Sequence, residues 1–573
     1  MSRTAPARRA RAVARPLLTA LLAALVVLCH QLPTSPAFAA GYVKVSGAGS
    51  TWSQNALDQW RANVKQYGMT VNYSGTGSSD GRNQFRNGTV DFAVSEIPYG
   101  IKDNGVVDQP PPRRYAYMPI VAGGTAFMYN LRIAGKRVTN LRLSGQVIAK
   151  IFTGGIRTWN DPAIKADNPG LAAALPARRI VPVVRSDGSG TTAQFTTWLA
   201  DRHGGIWDAY CKRAGVSTMP CGTTSNYPTA SGLGFVAQSG SSGVAGYVAG
   251  PANVGTITYV EYSYAKETTG FPVAKVLNEN GYYVEPTASN VAVALTHAQI
   301  ETDRSSPRYL TQKLHPVYTQ STDPRVYPLS SYSYMIVPTA VENNFSEAKG
   351  RSLGAFAYYF LCEGQRNVDD LGYSPLPVNL VKAGFEQVKK IPGVDAQRIN
   401  LQGCRNPTFS SDGTNTLART APRPPACDKK GPTQCSTGTG GATQPTQVNG
   451  SGGGNGGSGG GSSNGGSATG GSSGGGSTTG ADGGGTGGAD GGGTDGGSAT
   501  GAIDPDTGLP VNGADTGGGS QDGGGEAFAV PVTTSAAISG GLRTALMVIG
   551  GVLLVGLTFG PPLLARRLKG GQR

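Results

Sequence analysis

The sequence predicts an α/β fold of two lobes, and three observations carry that reading. Between residue 40 and about residue 400, β-rich runs such as "TVNYSG", "VDFAVS", "IVPVV" and "SYMIVP" alternate with amphipathic stretches, the rhythm of strands interleaved with helices. In "SQNALDQWRANVKQY" (Ser53–Tyr67), Ala56, Trp60 and Val64 fall at i, i+4 and i+8, one apolar stripe of a helix, and "SLGAFAYYFLCEG" carries the same signal near the far end. About 360 residues of such sequence exceed one comfortable core, so two lobes are expected.

The flanks read differently. Residues 1–39 hold Arg3, Arg8, Arg9, Arg11 and Arg15 ahead of a short apolar run and end in Ala37-Phe38-Ala39, the pattern of a signal peptide cleaved after Ala39. Export follows, with the globular part, residues 40–430, outside the membrane. Residues 431–535 are dominated by Gly, Ser, Thr, Asp and Ala; with little apolar surface to bury, they are expected to form a disordered linker. "TALMVIGGVLLVGLTFGPPLLA" (Thr544–Ala565) holds 22 residues without a charge, enough for one membrane crossing. Arg566, Arg567 and Lys569 in the tail 566–573 place that end in the cytoplasm. The expected product is a single-pass, cell-surface protein.

Of 573 residues with formal net charge +14, the leader and the C-terminal tail region account for +5 each, the linker for −8, and residues 40–430 keep +12. Much of the basic excess is thus topogenic, which weakens a nucleic-acid reading; the remainder suits attraction of anions. Seven cysteines occur and six survive loss of the leader: Cys211, Cys221, Cys362, Cys404, Cys427 and Cys435. An even number outside the cell argues for disulfides. Fifteen pairings exist in principle; local spacing favours Cys211 with Cys221 and Cys427 with Cys435, leaving Cys362 with Cys404. No Cys/His spacing suits a metal, and no cofactor motif is present.

Three glycine–hydroxyl turns lie between strand-like and helix-like sequence: "VSGAGSTWSQNAL", "VNYSGTGSSDGRNQF" and "VVRSDGSGTTAQF". A helix start exposes unpaired N–H groups with partial positive charge, glycine lets backbone close on an anion, and Ser or Thr hydroxyls add donors. Each turn alone is an ordinary cap; three together, one with an arginine, point to an oxyanion site. It is not a nucleotide P-loop, since no lysine follows Gly190, and no nucleophile elbow or His/Asp pairing supports turnover. Binding without catalysis is the expectation.

These stretches, with "RSDGSGTT", "IFTGGIRTWNDPAI", "GTITYVEYSYAK" and "LGYSPLPVNLV", resemble the extracytoplasmic phosphate-binding protein of the phosphate-uptake ABC transporter, along the whole globular part. The resemblance implies a type II periplasmic-binding-protein fold, with lobe one at about 40–122 and 324–400 and lobe two at about 123–323. It implies hydrogen phosphate as ligand and an ABC permease as partner. By position, Thr51 donates its hydroxyl and N–H, the N–H of Trp52 joins it, and Ser78 contributes from the second turn. Arg185 pairs with the phosphate charge, held by Asp187, while Ser189, Gly190 and Thr191 donate at a helix start. Glu96 stands where the family has aspartate, one methylene shorter, to accept the proton that separates hydrogen phosphate from sulfate. Asp80 stands where the family usually has glycine: inward it would repel a dianion, outward it caps a helix, and acid preference at helix starts favours outward. The membrane anchor is a further departure. A second reading keeps the fold but makes the protein a membrane-tethered anion sensor or wall-associated module with altered or lost phosphate binding.

Overall fold

The computed structural model describes residues 41–103, 105–398 and 400–447. The signal segment 1–39, the linker from residue 448 onward, the span 544–565 and the tail 566–573 lie outside the described residues. Among the described residues no helix is long and apolar enough to cross a membrane.

The chain opens with β1 (Val45–Gly49), α1 (Gln54–Val64), β2 (Val71–Ser74), α2 (Ser78–Arg86) and β3 (Phe92–Ser95). Helix α1 buries Ala56, Leu57, Trp60 and Val64, the stripe expected from its periodicity. β1 pairs in parallel with β2 and β3, the pairing that helical crossovers produce. β2 lies at the sheet edge, so Val71 and Tyr73 face in while Asn72 and Ser74 face water.

A fifteen-residue strand, β4 (Tyr115–Tyr129), follows, buried along nearly its whole length. Next come β5 (Val181–Arg185), α3 (Gly190–Arg213), β6 (Val236–Gln238), α4 (Gly240–Ala249), β7 (Thr256–Glu261), β8 (Val273–Leu277) and α5 (Ala288–Leu295). β9 (Ser330–Pro338), α6 (Glu347–Leu361) and α7 (Val378–Val388) complete the main elements. The principal path through the sheet is β6-β5-β7-β4-β9-β3-β1-β2. β4 joins its halves: Tyr115 to Gly124 pairs antiparallel with β9, and Thr125 to Tyr129 with β7.

Two main cores flank this strand. One collects Trp52, Trp60, Phe85, Phe92, Met335 and Phe360 with their neighbours from residues 45–122 and 332–391, plus Val291. The other collects Phe127, Phe152, Trp159, Phe195, Trp198 and Tyr259 with neighbours from residues 127–329. Fully burying side chains of this kind contributes about 1.5–3 kcal/mol each relative to exposure.

Beyond residue 400 the chain does not stay with the first core. Cys404 is bonded to Cys362, but Ala418 and Ala421 are buried in the second core, and Arg325 Nη1 donates to both their carbonyls at 3.0 and 3.1 Å. Lys275 pairs with buried Asp428 at 2.6 Å, and Arg142 Nη1 donates to the carbonyls of Cys427 and Thr433. The strap continues into sequence expected to be disordered linker, and there the expectation needs correction. Residues 431–447 belong to the fold. Thr439 Oγ1 donates to the Val273 carbonyl at 2.5 Å and accepts from the Val273 N–H at 3.1 Å; Gly440 N–H donates to half-buried Glu285 at 2.7 Å; Thr139 Oγ1 donates to the Gln444 carbonyl at 2.7 Å. The physical reason is that this stretch is held by hydrogen bonds rather than apolar burial. At Gly440, with φ of 60°, a Cβ would run into the Phe271 carbonyl, so the missing side chain is what permits the contact.

The disulfides are Cys211–Cys221, Cys362–Cys404 and Cys427–Cys435, the pairing that local spacing favoured.

Candidate oxyanion site

The three glycine–hydroxyl turns follow β1, β2 and β5 and converge where the lobes meet. The decisive one ends β5 and starts α3. Ser189 caps the helix, its hydroxyl accepting from the Thr192 N–H at 3.2 Å and its own N–H donating to the Ser225 carbonyl at 2.9 Å. The first-turn N–H groups of Gly190 and Thr191 donate to no acceptor among the described residues, and the buried Thr191 hydroxyl has no hydrogen-bond partner. A helix start of this kind attracts an anion.

Arg185 ends β5 and is buried, its side chain 2% exposed. Nε donates to Asp187 Oδ1 at 2.7 Å and Nη2 to Asp187 Oδ2, while Nη1 is 3.4 Å from Ser241 Oγ. Burial works against the Asp187 charge, but the Arg185 guanidinium and the Gly240 N–H outweigh it and hold the carboxyl below its ordinary value.

From the other lobe, Thr51 Oγ1 lies 2.9 Å from Ser241 Oγ and accepts from the Ser241 N–H at 3.1 Å. Ser78, first residue of α2, donates its hydroxyl to Glu96 Oε2 at 2.9 Å, and Ser333 donates to Glu96 Oε1 at 2.5 Å. Glu96 is fully buried; burial pushes its carboxyl up, against hydrogen bonds from Ser333, Ser50 and Ser78. A Cβ at Gly190 would collide with Glu96 Oε2 and Ser78 Oγ, so only glycine lets the start of α3 close on this carboxylate. The lobes also meet through the Ser79 N–H on the Gly188 carbonyl at 3.0 Å and Gln194 Nε2 on the Glu96 carbonyl at 2.8 Å. Asp103 accepts from the Ser225 N–H and hydroxyl at 2.7 and 2.6 Å.

The structure therefore brings Thr51, Ser78, Glu96, Arg185, Asp187, Ser189, Gly190 and Thr191 to one place. Trp52 departs from its expected role. Its N–H is turned to Ser50 Oγ at 3.0 Å, closing the turn on itself, and its ring is buried in the first core. Asp80 points out: it is exposed in the first turn of α2 and accepts from Gln84 Nε2 at 2.5 Å. Sequence reasoning missed Ser241 and Ser333. Ser241 sits in "QSGSSG", a fourth glycine–hydroxyl turn between β6 and α4, and that signal was readable. Ser333 had no local signal. A cavity of about 460 Å³ reaches Glu96 from the side, lined also by Lys102, Gln194, Asp201, Arg308 and His315.

A strand-joined pair of α/β lobes with helix starts aimed at their junction defines a binding-protein class, and the family model described as PBP superfamily domain matches residues 34–363. The phosphate-binding protein PstS of Xylella fastidiosa (strain Temecula1) is 31% identical over 341 residues, covering 59% of this chain and 83% of that protein. The protein of the same name from Methanocaldococcus jannaschii is 30% identical over 356 residues, covering 60% and 85%. A solved periplasmic phosphate-binding protein, PfluDING bound with phosphate, aligns at 18% identity and TM-score 0.44, over 62% of this chain and all of that one. Within the PBP superfamily, the chain belongs to the PstS-type phosphate-binding proteins.

Proposed function

We propose that this protein is an extracytoplasmic receptor that closes two lobes, 40–122 with 324–400 and 123–323, over hydrogen phosphate and delivers it to an ABC permease. One observation carries the reading: open N–H groups at the start of α3, with Arg185 beside them, face a buried carboxylate, Glu96, across the lobe junction. Donors and a guanidinium neutralise a dehydrated oxyanion, and a single acceptor in their midst selects an oxyanion that still carries a proton. Thr51, Ser78, Arg185, Ser189, Gly190 and Thr191 supply donors, Asp187 holds Arg185, and Glu96 accepts. The relatives named above, phosphate-binding proteins, support the same ligand. The role is binding and transfer, without turnover.

The protein is exported, and residues 544–565 tether it as a single-pass membrane protein with residues 566–573 in the cytoplasm. That part of the proposal rests on 22 uncharged residues followed by Arg566, Arg567 and Lys569.

Calorimetric titration with phosphate, arsenate and sulfate at pH 7 tests the assignment. Phosphate and arsenate bind and sulfate is rejected; a preference for sulfate overturns the role of Glu96.

A further inference from the structure

Glu96 owes its fixed position to a residue on a distant strand. β9 pairs antiparallel with β3 through Tyr334 and Ser95, so one residue further along both strands Ser333 and Glu96 face each other. At the same point the pairing of β9 with β4 shifts register: Ser333 opposes Val121 and Tyr334 opposes Pro119, leaving Ile120 as the extra residue. Such bulges re-aim side chains beside functional sites. Ser333 is fully buried, and its hydroxyl donates to Glu96 Oε1 at 2.5 Å.

Resting on the phosphate reading above, we propose that Ser333 is a positioning residue that sets oxyanion selectivity: it clamps Oε1 of Glu96 so that the carboxylate stays an acceptor, with Oε2 turned to the start of α3. The two hydroxyls divide the work. Ser78 takes Oε2, on the side where Gly190 makes room, and Ser333 takes Oε1 on the opposite side, away from the anion. A hydroxyl donating to a carboxylate favours its ionised form. Burial opposes that form, so each donor counts. Burial, and to a lesser degree the nearby Glu96 charge, pushes Tyr73 and Tyr334 up, so both are neutral. From the second lobe the start of α3 and Gln194 face it, and Lys102, Asp201, Glu301, Arg308, Lys313 and His315 line the cavity alongside. Without the Ser333 hydroxyl, Glu96 takes up a proton at higher pH and becomes a donor. The proton of hydrogen phosphate then has no acceptor, and sulfate is no longer repelled.

The test compares full-length S333A and S333T with the unsubstituted protein by calorimetry, titrating phosphate and sulfate between pH 5 and 8. Sulfate stays fully ionised over this range, so its pH dependence reports on the protein alone. In S333A the onset of sulfate binding moves up by about one pH unit, and phosphate-over-sulfate preference narrows about tenfold; S333T restores both. Should S333A lose its fold by thermal melting, S333T against S333V, matched in shape and differing in the hydroxyl, is read instead. An S333A (or S333V) profile superimposable on that of the hydroxyl-bearing protein overturns the proposal while leaving the phosphate reading intact. Failure of the unsubstituted protein to bind phosphate overturns the functional reading and this inference with it.

Discussion

Arg185 reaches the site already half engaged, with Nε and Nη2 on Asp187 and Nη1 turned toward Ser241. Truncating a buried partner of this kind leaves the other charge stranded, so R185A loses about 2–5 kcal/mol of phosphate affinity, read by calorimetry, and R185K recovers little because an ammonium lacks the planar fork. Asp187 yields a pH prediction. Its folded carboxyl titrates below the ordinary 3.8, so its stabilisation is present above that value and lost as pH falls through the folded one. D187N flattens this acid limb in a pH series of denaturant unfolding. The donor turns were legible because a helix cap is a local pattern: small, hydroxyl and glycine residues within a few positions. Ser333 was not, because its bond to Glu96 spans 237 residues and depends on a bulge that no short window reveals. Glu96 was found only through resemblance, and the sequence gives no sign that Ser50 captures the Trp52 N–H.

Among elements, α3 and the strap have the clearest consequences. S189A removes the hydroxyl that caps α3 and costs about 1 kcal/mol of stability; phosphate affinity falls with it, since the cap holds the turn that presents Gly190 and Thr191. T439A deletes a side chain that bonds Val273 and the Thr139 carbonyl and costs about 1–3 kcal/mol by denaturant unfolding, with phosphate selectivity unchanged. Helix α1 was readable from its stripe because periodicity survives without tertiary context. The strap was not. Its glycines share the composition of the low-complexity sequence that follows, and composition is silent on which backbone groups find partners.

For the whole molecule, ligand binding to the folded form alone raises apparent stability, by about 2.7 kcal/mol at a hundredfold excess over Kd. Thermal melting with phosphate therefore shows a higher midpoint than melting with equimolar sulfate at pH 7. Two lobes followed from length and alternation, but the number of times the chain passes between cores did not. β4 crosses once and β9 returns, then residues 405–447 cross again and lock onto the second core through Arg325, Lys275 and Val273. That last passage decides how mechanical load travels. A pull on the chain at residue 447 is borne first by Thr446 and Gln444 on Thr139 and Asn140, then by the Thr439 contacts and the Cys427–Cys435 ring, all on one jaw, so the opposite jaw lies outside the path of the load.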